Sequence, residues 1–106
     1  MSIRYVSTRG KAAELSFEDV LLAGLAADGG LYVPTSLPTF SQSQLAAMQD
    51  MTYPELAYEI IAPFVGDCIA ESDLRAILND TYAEFRHPAV APLVQLEHNQ
   101  WVLELF

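Results

Sequence analysis

The sequence predicts an α+β fold: about four helices packed with a small sheet that includes a C-terminal β-hairpin. Three observations carry that prediction. Apolar residues recur at helical spacing in four separate runs, two of them opened by capping-box sequences. Short runs rich in β-branched and aromatic residues lie near both chain ends and directly after Gly29-Gly30. The last apolar stretch is interrupted by Glu97-His98-Asn99-Gln100, which can fold a strand back on itself.

Taken in order, Ile3 to Ser7 predicts a short strand, followed by the loop Thr8-Arg9-Gly10-Lys11. That loop lacks the longer glycine-spaced pattern of a nucleotide-binding P-loop. Ser16 can cap a helix whose first turn carries Glu18 and Asp19, acids suited to the positive end of the helix dipole. Phe17, Val20, Leu21, Gly24 and Leu25 then share one face, and the helix is expected to end near Ala26 or Ala27. Asp28-Gly29-Gly30 reads as the structural turn that caps this helix, because glycine adopts positive φ without steric cost and Asp28 can bond nearby amides. Leu31, Tyr32 and Val33 form the next strand, with Pro34 ending its pairing.

Ser41 and Gln44 make a capping box for a short helix to about Met48 that would bury Leu45 and Met48. Thr52 and Glu55 make a second box, with Pro54 tolerated in the first turn. Leu56, Ala57, Ile60, Ile61 and Phe64 follow at helical spacing until Gly66. The last helix begins near Glu71 or Ser72 and places Leu74, Ile77, Leu78, Tyr82 and Phe85 on one face, with His87-Pro88 as its stop. Val90 to Leu96 is extended, His98-Asn99 takes the tight turn, and Trp101 to Leu105 returns. The first strand, the strand after the glycine pair and this hairpin are expected to share one sheet.

The 106 residues fit one domain, and 52% hydrophobic with 18% charged residues is too apolar for a disordered chain. No run has the roughly 20 apolar residues of a membrane span. The expectation is therefore a soluble, cytoplasmic protein with no membrane partner. Residues 1–11 carry +3, whereas residues 12–106 carry −12. Nucleic acid is excluded as a partner on that balance, since it requires a basic face to displace counterions. A small anion could be held by the first segment, whose alternative reading is a solvated loop. Gln100 to Phe106 stops while still apolar, which reads as an amino-terminal piece of a longer protein.

Catalytic signatures are sparse. His87 and His98 lack metal-ligand spacing, so no metal is expected. No serine stands in a Gly-x-Ser-x-Gly elbow. Lys11 is the one lysine, placed in an open polar loop where nothing activates it. Cys68 cannot form an internal disulfide and reads as a small packed hydrophobe.

Tyr5-Val6-Ser7-Thr8-Arg9-Gly10, Phe17-Glu18-Asp19-Val20-Leu21-Leu22-Ala23-Gly24-Leu25-Ala26, Asp28-Gly29-Gly30-Leu31-Tyr32-Val33-Pro34, Leu37-Pro38 and Trp101-Val102-Leu103-Glu104-Leu105-Phe106 occur in that order. Together they resemble the amino-terminal region of threonine synthase, over essentially the whole chain. The resemblance implies the amino-terminal domain of a fold type II pyridoxal-phosphate enzyme. That family converts O-phospho-L-homoserine and water to L-threonine and phosphate, the cofactor acting as electron sink. In the family the Leu-Glu-Leu-Phe segment leads into a His-Gly-Pro-Thr stretch and then the cofactor-binding lysine. Both follow the point where this chain stops, so catalytic and cofactor-binding residues are expected to be absent here and the piece alone inactive. The implied partners are the catalytic domain of the same chain and, in the full-length enzyme, O-phospho-L-homoserine.

On that resemblance, residues 1–86 form the amino-terminal domain and residues 87–106 a hairpin leading into the catalytic domain. Ser7, Thr8, Arg9 and Gly10 are the candidates for contact with substrate phosphate or for the domain interface. Arg9 offers a planar fork, with the Ser7 and Thr8 hydroxyls and the Gly10 amide as further donors. The competing reading pairs Arg9 with an acid at the domain boundary. Two rivals to the whole assignment are a free-standing acidic interaction module and a small self-sufficient enzyme.

Overall fold

The computed structural model describes residues 2–105. Its elements are β1 (Tyr5–Ser7), α1 (Phe17–Ala23), β2 (Tyr32–Pro34), α2 (Gln42–Ala47), α3 (Tyr53–Val65), α4 (Glu71–Ala83), β3 (Leu93–Glu97) and β4 (Gln100–Leu103). The α+β class and the helices expected from the apolar spacing are present.

The core is built by α3 and α4. Ala57 and Val65 from one helix meet Leu74 and Leu78 from the other, with Ile61, Tyr82 and Phe17 packed around them. Arg75 clips the pair together outside the core. Its guanidinium lies 3.6 Å from the Tyr58 ring centre and 2.8 Å from Glu71. The hydrogen bond and charge of Glu71 raise its pKa. α3 is closed at its start by Glu55, whose carboxylate accepts from the Thr52 backbone N–H and hydroxyl, both at 2.7 Å. At its end, Gly66 takes φ +61. The Phe64 carbonyl, an orphan of the last helical turn, accepts from the Tyr5 hydroxyl at 2.7 Å. This bond ties β1 to the helical core, and burial raises the Tyr5 pKa.

β1 and β2 pair antiparallel, placing Ser7 opposite Tyr32. β3 and β4 form a separate hairpin, so the expected single sheet is instead two. The other edge of β1 is taken by Leu15, which exchanges two 3.0 Å hydrogen bonds with Tyr5, so β1 offers the hairpin no open edge there. The hairpin turn falls at His98-Asn99, where Asn99 has φ +60. Ahead of it, buried Val90 holds φ +59, and the Ala91 N–H reaches back to the Ala89 carbonyl at 2.6 Å. That left-handed conformation is costly for a β-branched residue. The radius of gyration, 16.8 Å, exceeds the roughly 13 Å of a compact chain of this length.

Several expectations need correcting. α1 stops at Ala23 because Gly24 takes φ +69, so Asp28-Gly29-Gly30 does not cap it and forms a turn of its own. Leu21 within the helix and Leu25 beyond it both face outward. α2 has its Ser41 capping box but buries none of its own residues: Leu45 is 46% exposed, and Met48 beyond its end is half-buried. On α4, Leu74 and Leu78 are buried whereas Ile77 is exposed, and Phe85, expected on the same helical face, lies beyond the helix end and is exposed. That helix ends at Ala83, four residues before His87, with Glu84 as its cap. Cys68 is exposed rather than packed.

Candidate functional site

The two stretches singled out near the amino terminus converge. Pairing of β1 with β2 brings the loop after Ser7 against the turn before Tyr32. The contact continues past the strands, with the Thr8 N–H donating to the Leu31 carbonyl at 2.8 Å and the Leu31 N–H donating to Thr8 Oγ1 at 3.1 Å.

Asp28 is the hub. Its Oδ1 accepts from the Ser7 hydroxyl at 2.7 Å and the Gly30 N–H at 3.0 Å, while Oδ2 accepts from the Lys11 N–H at 2.9 Å. These donors stabilise the ionised form, the Ser7 bond most of all, and lower the Asp28 pKa to about 2 despite partial desolvation. Ser7 is only 5% exposed, and its oxygen also accepts from the Arg9 N–H at 3.1 Å. Gly10, at φ +67, turns the loop and donates its N–H to the Ser7 carbonyl at 2.9 Å.

Arg9 lies across this turn. Its Nη1 donates to the Asp28 carbonyl at 3.0 Å, and among the described residues it has no carboxylate partner within 4.0 Å. A Cβ on Gly29 would stand 2.7 Å from Nη1. A Cβ on Gly30 would collide with Ser7 Oγ. Bare glycine backbone is thus what both side chains rest against. Of the donors expected to face an anion, the Ser7 hydroxyl and Gly10 amide are bonded internally. The Thr8 hydroxyl hydrogen and the other Arg9 N–H groups are not among those internal bonds.

Lys11 is exposed on the same loop, beside the Asp28 carboxylate. The Gly10, Lys11, Gly29 and Gly30 amides are each bonded internally, so this loop and turn offer no set of free backbone donors to a cofactor phosphate, and no cofactor step is assigned to them. His87 Nδ1 accepts from the Ala89 N–H at 3.1 Å, and His98 sits in the hairpin turn. No group of three or more His, Cys, Asp or Glu residues suits a metal ion among the described residues.

One feature escapes sequence reading: a cleft of about 400 Å³ between the end of α4 and the base of the hairpin, lined by Phe85, Arg86, His87, Val90, Pro92 and Glu104. Nor does spacing along the chain announce the Ser7–Asp28 bond, which spans 21 residues. The only available signal was an acid next to a glycine pair, which also describes an ordinary turn.

Comparison with known proteins adds a lineage to this geometry. Residues 4–82 match the family described as threonine synthase N terminus. The threonine synthase of Pseudomonas aeruginosa is 57% identical over 98% of this chain, which covers 22% of that protein. The threonine synthase of Schizosaccharomyces pombe is 37% identical over 98% of this chain, here 20% of the relative's length. Among solved structures, the pyridoxal-phosphate-bound threonine synthase of Brucella melitensis superposes with a TM-score of 0.89 at 48% identity, over 99% of this chain and 23% of that one. With its fold, its amino-terminal loop and its turn all matched over that length, the chain belongs to the threonine synthase family and corresponds to its amino-terminal region.

Proposed function

We propose that this chain serves as the amino-terminal domain of a threonine synthase that converts O-phospho-L-homoserine and water to L-threonine and phosphate, with pyridoxal phosphate as cofactor of the full-length enzyme. The observation that carries the reading is the 57% identity to the Pseudomonas aeruginosa enzyme across 98% of this chain. Because the chain spans 22% of that relative, the chemistry is assigned to the remainder of the enzyme. The domain's partner is then the catalytic domain, approached through residues 87–106, while residues 1–86 form the supporting body. Exposed Leu93, Trp101 and Leu103 on the hairpin support such docking. A cytoplasmic location follows from the biosynthetic role, and no described helix is long and apolar enough to cross a membrane.

Within this reading, Arg9 meets the substrate phosphate through the N–H groups that Asp28 does not take, with the Thr8 hydroxyl beside it. Phosphate release from O-phospho-L-homoserine tests the assignment. The full-length protein reconstituted with cofactor is expected to turn over, and the 106-residue chain alone is not. A full-length protein inactive on this substrate overturns the reading and favours the acidic interaction module, for which the same exposed apolar residues would contact another protein.

A further inference from the structure

The ties around Arg9 straddle it. Ser7 on one side and Lys11 on the other are bonded to the single carboxylate of Asp28, at 2.7 and 2.9 Å. The same Ser7 hydroxyl that donates to Asp28 accepts from the Arg9 backbone at 3.1 Å. Beyond the loop, the Asp28 carbonyl takes one guanidinium N–H at 3.0 Å, out of the five an arginine carries. Gly29 has φ +79, and a methyl group there would stand 2.7 Å from Arg9 Nη1. The Asp28 carboxylate is occupied by hydroxyl and amide donors rather than by Arg9, so among the described residues no contact ion pair cancels the Arg9 charge.

We propose that Asp28 and Gly29 are positioning residues for Arg9: the carboxylate fixes the loop on both sides of it, and the bare Gly29 backbone leaves room for the guanidinium to present its free N–H groups to a phosphomonoester dianion. This rests on the reading of Arg9 as the phosphate contact and extends it to the turn. The geometry separates two kinds of residue. Arg9 supplies charge and donors; Asp28 and Gly29 supply direction only. Gly29→Ala therefore preserves every charge while displacing the guanidinium. Asp28→Asn keeps the shape of the turn but loses an acceptor, because an amide nitrogen cannot accept the Lys11 N–H.

The test is steady-state kinetics of full-length holoenzyme on O-phospho-L-homoserine, with inorganic phosphate as competitive inhibitor and thermal melting run alongside. Arg9→Lys is expected to raise KM and the phosphate inhibition constant about ten-fold, with little change in kcat, as loss of the fork demands. Gly29→Ala and Asp28→Asn are expected to raise both constants several-fold. In the Arg9→Lys background each is expected to add little further, since residues acting through one group are not additive. If Arg9→Lys raises KM but neither turn variant does, the positioning role is wrong and the phosphate contact stands. Full additivity of the turn variants with Arg9→Lys also overturns the proposal, because they then act elsewhere. If Arg9→Lys leaves KM and phosphate inhibition unchanged, the phosphate contact itself fails, and the positioning role with it. Should Gly29→Ala not fold, the Asp28→Asn cycle decides alone.

Discussion

At the residue scale, Asp28 does the work of several backbone interactions at once. A carboxylate that accepts a hydroxyl and several amide donors is more stable ionised in the folded chain than in the unfolded one, which lowers its pKa from 3.8 to about 2. The sign of the linkage follows. A depressed folded-state pKa contributes stability that is fully present above about pH 4 and is lost as pH falls towards 2. Denaturation of the wild-type chain and of Asp28→Asn as a function of pH checks this: their stability difference is expected to shrink steadily across that window. A difference independent of pH would mean that the carboxylate does not act through its charge. Tyr5 illustrates a second residue-scale contribution, since its hydroxyl satisfies a helix-terminal carbonyl from 59 residues away. Tyr5→Phe keeps the ring and removes that bond, and is expected to cost about 1 kcal/mol in chemical denaturation.

At the element scale, α3 is the best specified part of the chain. Its start is set by Thr52 and Glu55, its interior by Ala57 and Val65, and its end by Gly66. Thr52→Ala removes a hydroxyl that donates to Glu55 and is expected to lower stability by about 1 kcal/mol. An unchanged denaturation midpoint would show that the cap adds nothing. α1 shows the opposite situation. Its expected apolar face runs from Phe17 to Leu25, yet Gly24 ends the helix early and Leu21 and Leu25 are each 65% exposed. Apolar periodicity reports where side chains would align if the helix continued, not whether a glycine within it takes a left-handed conformation.

At the scale of the whole molecule, the helical body has a core, whereas the hairpin exposes apolar residues on both faces. Leu93, Leu96, Trp101 and Leu103 are all exposed, Trp101 to 54%. A two-stranded hairpin of this kind is marginal without a covering surface. Trp101 is the single tryptophan of the chain and reports directly on its surroundings. Its emission in the 106-residue chain is expected to be water-like and readily quenched by acrylamide. Blue-shifted emission resistant to quenching would show that the hairpin face is covered, contrary to its exposure here.

The sequence by itself determined the class of the fold, the starts of its helices and the hairpin turn. Capping boxes, the Gly66 stop and an asparagine tolerant of φ +60 act over a few residues, so their physics is contained in the local order of the chain. It also placed Arg9 in a loop and Asp28 in a turn. Only the tertiary structure decided that these two meet, that Leu15 closes the second edge of β1, and that Cys68, Leu45 and Ile77 face outward. Those outcomes depend on which surfaces remain after α3 and α4 have packed. A contact across 21 residues, such as that between Ser7 and Asp28, is set by the pairing of β1 with β2 and leaves no periodic mark along the chain.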